Sequence, residues 1–300
     1  MGLIALVGFG AVVALAMVLL HGYLWWRLVR GTTRPGRTRR LLTALTVVLA
    51  VLPTLAVVLR SRVPMAVSTP LDWIGYTWLG IAFYAFLALL ALEPLRFAIW
   101  LWTRSRRAPD PDPAAVREDR DVPAVPRRVF LARSLAVTAG AVALGTAGTG
   151  AYLANSPPKV RRVPITLAGL DPALDGFRIV TFSDAHLSAT YRGRRFERVV
   201  EMVNAQRPDV VAIIGDLVDG EVSELRQDVA PLADLVSEQG VFFVTGNHEY
   251  FVDTRAWLRY LPTLGIDVLH NERVALRRGG ATVDLAGIDD ATAASSGIPG

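Results

Sequence analysis

The first half of the chain contains four apolar runs, each about as long as a membrane-spanning helix. At a rise of 1.5 Å per residue, about 20 residues cross a hydrocarbon core of ~30 Å. The runs cover residues 3–26, 41–59, 73–92 and 135–154. This pattern predicts an N-terminal all-α membrane region of about four transmembrane helices, and Pro53 predicts a kink in the second.

The second half has a different pattern, in which short apolar runs alternate with amphipathic stretches. Residues 177–182, 210–214 and 241–244 are typical of buried strands. Residues 194–205 and 222–237 have helical spacing of their apolar positions. Strands that alternate with helices indicate a layered α/β sheet. The predicted fold class is therefore a membrane region followed by an α/β layered-sheet domain.

These patterns divide the chain into five predicted segments. A three-span region (1–102) precedes a cytoplasmic linker rich in Arg, Pro and Asp (103–129). The fourth span (130–155) and a connector (156–175) lead to the α/β domain (176–300).

The charge differs between the two halves. Residues 1–155 carry 17 Arg and 7 acids, a balance of +10, whereas residues 156–300 carry 15 Lys/Arg and 20 acids, a balance of −5. The basic residues thus lie beside the apolar runs, as is typical of membrane proteins. We therefore expect no nucleic acid as a specific partner, and the lipid bilayer as a partner.

The arginines also predict the orientation in the membrane. Residues 27–40 hold six Arg and residues 93–128 hold eight, whereas the loop between the second and third spans holds two. Loops rich in Arg stay in the cytoplasm. With four spans, the α/β domain is then extracytoplasmic, and the protein is predicted to be a multi-pass protein of the cell membrane.

The start of the fourth run has two interpretations. The sequence RRVFL at 127–131 opens a Gly/Ala-rich apolar stretch and resembles a twin-arginine export signal. Ordinary arginine flanking of a span explains it equally well. No small-x-small cleavage site is evident, so the run is predicted to remain as an anchor.

Two ionisable residues lie close to the predicted membrane edges. Ionisable groups inside a span are candidates for function. His21 and Glu93 each lie near the cytoplasmic end of a span, where we expect them to reach headgroup water. We therefore predict no transport role for them.

Polar motifs follow the three predicted strands. They are DAH at 184–186, GDLVD at 215–219 and GNHE at 246–249. The carboxyl ends of parallel strands meet at one edge of a sheet, where α/β proteins place their sites. Carboxylate, amide and imidazole donors suit hard divalent cations. The chain has no cysteine, which excludes a thiolate site, and we predict an oxygen- and imidazole-lined metal site.

Together these motifs resemble those of the calcineurin-like metallophosphoesterases, whose pattern is D-x-H, GD-x-x-D and GNH[D/E]. The resemblance covers residues 176–300, and RIVTFSDAHL after an apolar N-terminus looks most like the bacterial membrane-anchored YkuE/YaeI-type subgroup. It implies a phosphoesterase that hydrolyses phosphomonoester, phosphodiester or pyrophosphate bonds with a metal-activated hydroxide. It also implies two divalent metal ions and leaves open whether they are Mn, Fe, Zn or Mg.

The resemblance implies a role for each matched residue. The implied metal ligands are Asp184, His186, Asp216 and Asn247. Asp216 would bridge the two ions. His248 would protonate the leaving oxygen or stabilise charge on the phosphoryl group, acting with Asp219. Asp219 and Glu249 would orient the ligands or His248.

The resemblance is incomplete toward the end of the chain. The family pattern continues with another His and a G-H-x-H, but this chain has four His and no such motif. His270 is interpreted as a surface residue at a strand end, and Asp289 and Asp290 as part of a substrate loop. We expect the sequence to stop inside the domain, after a strand at 282–288 with no further helix or strand, and to bind metal weakly.

The sequence leaves alternatives open for both the substrate and the activity. Membrane attachment favours a phosphoester that is lipid-linked or derived from the envelope. The alternative function is a non-catalytic membrane sensor or scaffold with a phosphoesterase-like domain. Gly140, Gly145 and Gly148 offer a small-residue face for helix packing, but the oligomeric state stays open.

Overall fold

The computed structural model describes residues 3–59, 63–105 and 127–297. The chain forms two compact units, one of Met1–Val63 and Val67–Asn155 and one of Pro64–Ala66 and Ser156–Gly300. Most of the predicted cytoplasmic linker, residues 106–126, lies outside the described residues, as does the arginine-poor loop at 60–62. Both assignments stay predictions.

The first unit is helical throughout its regular structure. Its elements are α1 Leu3–Leu24 with a π-helical continuation Trp25–Arg30, α2 Arg37–Leu59, α3 Met65–Ala91, α4 Glu93–Ser105 and α5 Arg127–Ala154. In the described residues, four helical stretches are long and apolar enough to cross a membrane. This confirms the predicted four apolar helices. The third stretch, Met65–Trp102, is longer than predicted because α4 follows α3 after a single residue.

Small residues line the contacts between these helices. Ala82 and Ala85 of α3 and Ala139 and Ala143 of α5 are buried in one apolar cluster. At Gly75 of α3, an added Cβ would lie 3.1 Å from a side chain and 3.2 Å from a backbone carbonyl of α2. Close approach at small residues is typical of helix packing in membranes.

The two ionisable residues near the membrane edges make specific contacts. His21 is only 2% exposed; Trp78 Nε1 donates to its Nε2 at 2.9 Å, and its Nδ1 bonds a backbone carbonyl one turn earlier. The expectation that His21 reaches headgroup water is therefore wrong. Glu93 is half-buried and accepts from Tyr23 Oη at 2.7 Å and from Arg27 Nη2 at 2.5 Å. Both residues connect helices.

The second unit contains a four-stranded parallel sheet and a separate hairpin. The strands of the sheet are β1 Ile179–Phe182, β2 Val210–Ile214, β3 Val241–Val244 and β4 Ile266–Val268, and their spatial order follows the chain. The hairpin pairs β5 Glu272–Arg278 with β6 Ala281–Gly287 in antiparallel fashion. The helices are α6 Gly193–Asn204, α7 Val222–Val229, α8 Thr254–Tyr260 and α9 Ala293–Ser296.

The core of this unit forms where helices pack on the sheet. Phe196, Val200 and Val203 of α6 are spaced at i, i+4 and i+7, so they share one helix face, and all three are buried. They belong to the same buried cluster as Ile213 of β2 and Phe243 of β3. The apolar spacing seen in the sequence thus fixes which face of α6 points inward.

Some boundaries differ from the predicted ones. The helix predicted over 222–237 ends at Val229 and gives way to a 3-10 turn, Ala230–Asp234. Pro231 explains the change, because proline has no backbone N–H to donate to the preceding turn of an α-helix. β1 begins at Ile179 instead of residue 177, and α9 follows the hairpin where no further element was expected.

Candidate metal centre

The loops that follow β1 and β2 continue to pair beyond the strands. His186 N donates to Asp216 O at 3.0 Å, Leu187 N donates to Leu217 O at 2.9 Å, and Asp219 N donates to Leu187 O at 2.9 Å. The DAH and GDLVD motifs therefore lie side by side at the carboxyl edge of the sheet, as predicted from the strand ends.

Three of the predicted ligands have an unusual backbone conformation. Asp184, His186 and Asp216 have φ values of 56°, 45° and 50°. Left-handed conformations are uncommon outside glycine, although Asp and His are enriched among the exceptions. Such residues cluster at functional sites, where the surrounding structure holds them.

Two glycines let the second and third motif loops touch. A Cβ on Gly215, whose φ is +60°, would lie 2.4 Å from Gly246 N. A Cβ on Gly246 would lie 2.3 Å from Asp216 Oδ1. Both distances are far shorter than van der Waals contact, so any side chain at either position would force the loops apart.

The side chain of Glu249 bonds both of these loops. Its side chain is 1% exposed. Oε2 accepts from Gly246 N at 2.7 Å and Asp216 N at 3.0 Å, and Oε1 accepts from Leu217 N at 2.8 Å and Val218 N at 3.3 Å. Burial raises the pKa of Glu249, and the four backbone N–H groups act in the opposite direction. Glu249 thus bonds the backbone of both loops, and its role in orienting the ligands or His248 stays a prediction.

Three side chains bring their donor atoms together at the edge. The donor atoms of His186, Asp216 and His248 lie within 4.8 Å of one another. His186 Nε2 is 3.9 Å from both Asp184 Oδ1 and Asp216 Oδ2. This is too long for a hydrogen bond, but ligands about 2 Å from one ion lie roughly 3–4 Å apart. The residues fit a divalent cation, and His248, the predicted proton donor, lies in the same cluster.

A single carboxylate oxygen holds both imidazoles. Asp219 Oδ1 lies 3.0 Å from His186 Nδ1 and 2.6 Å from His248 Nδ1. The two rings are nearly perpendicular, with centroids 4.4 Å apart. A carboxylate on one ring nitrogen fixes the orientation of the ring and directs the other nitrogen to a metal or substrate. The structure therefore places Asp219 where it orients both histidines.

Asn247 lies beside Asp216. The end of its amide group is 3.2 Å from Asp216 Oδ2 and 3.3 Å from Oδ1, and it donates to both oxygens when the amide is turned so that its nitrogen faces them. The backbone N–H of His248 also donates to Asp216 Oδ1, at 2.9 Å. Asn247 is thus brought to the site beside Asp216. Its role as a ligand stays a prediction.

A second polar cluster, at the ends of β3 and β4, is not evident from the sequence. The Asp289 side chain is 4% exposed and lies 2.5 Å from His270 Nδ1. It also accepts from Asn271 Nδ2 at 3.0 Å and from Thr245 Oγ1 at 3.4 Å. His270 thus lies just after β4 with its side chain 30% exposed, and it is paired with the buried Asp289. Asp290 accepts instead from Thr292 within its own loop, at 2.7 Å.

Comparisons with known proteins agree with this geometry. Residues 177–295 match the family model for calcineurin-like phosphoesterases. "Transmembrane protein with metallophosphoesterase domain" from Danio rerio is 42% identical over 155 residues, 50% of this chain and 36% of the relative. Its namesake from Bos taurus is 34% identical over 226 residues, 72% of this chain and 48% of the relative. The latter alignment is longer than the second unit and extends into the apolar half.

A bacterial relative is also similar. The "Uncharacterized metallophosphoesterase YkuE" from Bacillus subtilis is 31% identical over 170 residues, 55% of this chain and 59% of the relative. The chain spans about half the length of the curated relatives it matches. No solved structure matches it. Motif geometry and family match together show that the chain carries a calcineurin-like metallophosphoesterase domain over residues 177–295, preceded by four apolar helices.

Proposed function

We propose that the chain is a membrane-anchored, metal-dependent phosphoesterase. The observation that carries the proposal is the convergence of His186, Asp216 and His248 within 4.8 Å at the carboxyl edge of the sheet. The relatives named for a metallophosphoesterase domain support the same reaction class. YkuE is 31% identical, whereas the relatives from Danio rerio and Bos taurus are 42% and 34% identical, so the proposal names the family and not the bacterial subgroup.

Two divalent cations at this site would supply Lewis acidity toward the phosphoryl oxygens and a lowered pKa for a bound water. The chain's own residues would then hold them and orient the substrate. The proposed ligands are Asp184, His186, Asp216 and Asn247. Asp219 fixes the rings of His186 and His248 through its Oδ1. His248 donates a hydrogen bond or proton to the ester oxygen that leaves.

We further propose that the substrate is a lipid-linked or envelope-derived phosphoester, and that the bilayer is the partner of the apolar helices. We also propose that the domain is extracytoplasmic. The four apolar helices support the first two points, because they keep the domain close to lipid phosphates. The arginine-rich loop at 27–40 supports the orientation. The twin-arginine interpretation of residues 127–131 stays a prediction.

Metal dependence is the test of this proposal. The protein, expressed from its full reading frame and purified in detergent, is assayed with p-nitrophenyl phosphate and bis-p-nitrophenyl phosphate. We expect hydrolysis with Mn²⁺, Zn²⁺ or Mg²⁺, loss of at least about 100-fold on chelation, and recovery when the metal is returned. Absence of hydrolysis with every divalent cation would instead favour the non-catalytic sensor or scaffold.

The orientation gives a separate prediction. Because the chain has no cysteine, single introduced cysteines can be labelled without background. Glu238→Cys, on the exposed surface of the domain, is expected to react with a membrane-impermeant maleimide in intact cells. Arg34→Cys, in the exposed loop before α2, is expected to react only after lysis. The reverse pattern would place the domain in the cytoplasm.

A further inference from the structure

An exposed aromatic ring lies directly beside the candidate metal centre. The 3-10 turn His248–Phe251 begins at one site residue and ends at Phe251. The ring centroids of His248 and Phe251 are 5.4 Å apart in an edge-to-face arrangement. Phe251 is 71% exposed. Among the aromatic side chains of the described residues 156–297, Phe251 is the most exposed.

The backbone that carries this ring is held on both sides. Glu249 is buried, and its carbonyl accepts from Thr254 Oγ1 at 2.8 Å. Tyr250 Oη bonds Thr245 Oγ1 at 2.7 Å, and Tyr250 N donates to Asn247 O. Phe251 is therefore presented to solvent on a fixed turn. A single exposed apolar residue is ordinary on a protein surface, so its contact with His248 is what distinguishes it.

The position of Phe251 beside His248 limits which part of a substrate it can contact. When the phosphoryl group of a substrate lies against His248, the first atoms of the attached ester group lie beside Phe251. Apolar atoms gain from contact at about 4 Å, and each methylene removed from water contributes about 0.8 kcal/mol. An alkyl group gains from lying on this ring, whereas a free phosphate gains little.

We propose that Phe251 is a specificity-determining residue that packs against the apolar ester group of the substrate, so that the site prefers phosphoesters carrying an alkyl chain. This inference rests on the proposed phosphoesterase function and adds to it the residue that would recognise the apolar part of the substrate. The four apolar helices of the same chain support an alkyl occupant, because lipids with phosphate headgroups carry such chains.

The test uses one leaving group and a variable alkyl group. Methyl, butyl and octyl p-nitrophenyl phosphate are hydrolysed by the detergent-purified protein with its activating metal. We expect kcat/KM to rise with chain length. Phe251→Ser should lower kcat/KM for the octyl ester roughly fivefold to tenfold and leave the methyl ester within about twofold. Phe251→Leu, which keeps an apolar side chain, should restore most of the preference for the octyl ester.

A matched control is available on the opposite edge of the sheet. Val236 is 66% exposed in the loop that leads into the amino end of β3. Val236→Ser should leave the whole series unchanged. A chain-length preference that survives Phe251→Ser would overturn the inference, and so would an equal loss for all three esters, which would indicate support of His248 instead. No hydrolysis of any ester by the unaltered protein would overturn the proposed function and this inference with it.

Discussion

Replacing Asp216 by asparagine is expected to lower kcat/KM for p-nitrophenyl esters by roughly 10³-fold, which corresponds to about 4 kcal/mol of transition-state stabilisation. The carboxylate lies 3.9 Å from His186 Nε2 and belongs to the cluster of donor atoms that fits a cation. Asparagine removes the negative charge that two cations would share. The measurement is steady-state hydrolysis over a range of metal concentrations.

The same substitution should leave the fold almost unchanged. Asparagine has the same shape, tolerates the left-handed conformation at φ 50°, and keeps an oxygen that can accept from His248 N. Hydrogen–deuterium exchange of the segment after β2 is the check. Asp284→Asn, the same change in the exposed hairpin ion pair with Arg273, is the matched control and should retain full activity. Full activity of Asp216→Asn would contradict the assignment of this residue as a ligand.

Replacing Glu249 by glutamine is expected to destabilise the second unit by about 3–5 kcal/mol. Both carboxylate oxygens accept from backbone N–H groups, two to each oxygen. Glutamine has only one oxygen, so its NH₂ group would face two N–H donors, whichever way the amide turns. Each buried donor left without an acceptor costs about 1–3 kcal/mol. Hydrogen–deuterium exchange across residues 210–220 and 241–250 measures the loss.

Glu238→Gln provides the control for that experiment, because it makes the same chemical change at an exposed position. Substitutions on such surfaces usually change stability by no more than about 0.5 kcal/mol. We also expect Glu249→Gln to lower activity, since the loops that carry Asp216 and Asn247 lose their common acceptor. Equal exchange rates in the two variants would show that Glu249 does not hold the loops.

The sequence predicts the strands and the motif loops well, because these depend on local pattern. β2 and β3 are short apolar runs between polar loops, and their observed bounds are the predicted ones. The four apolar helices follow from length and hydropathy alone. The meeting of DAH, GDLVD and GNHE at one edge follows from the parallel order of the strands.

What the sequence does not predict depends on contacts between distant residues. No local signal indicates that one oxygen of Asp219 bonds two imidazoles 33 and 29 residues away. The burial of His21 depends on the partner it finds in α3, and the pairing of His270 with Asp289 depends on how β6 ends near β4. The positions of the motif loops are thus readable from the sequence, whereas the atoms that pair between them are not.

The contact between Gly215 and Gly246 has a consequence for how the protein takes up metal. Each glycine leaves less than 2.6 Å between its missing Cβ and the neighbouring loop, and Glu249 bonds both loops at once. The two motif loops therefore cannot open independently of each other. An incoming ion meets donors that are already assembled, so little chain entropy is lost on binding. The rate of metal uptake should then be limited by removal of water from the ion. The preference for one metal over another should be set by the spacing of donor atoms that are already in place.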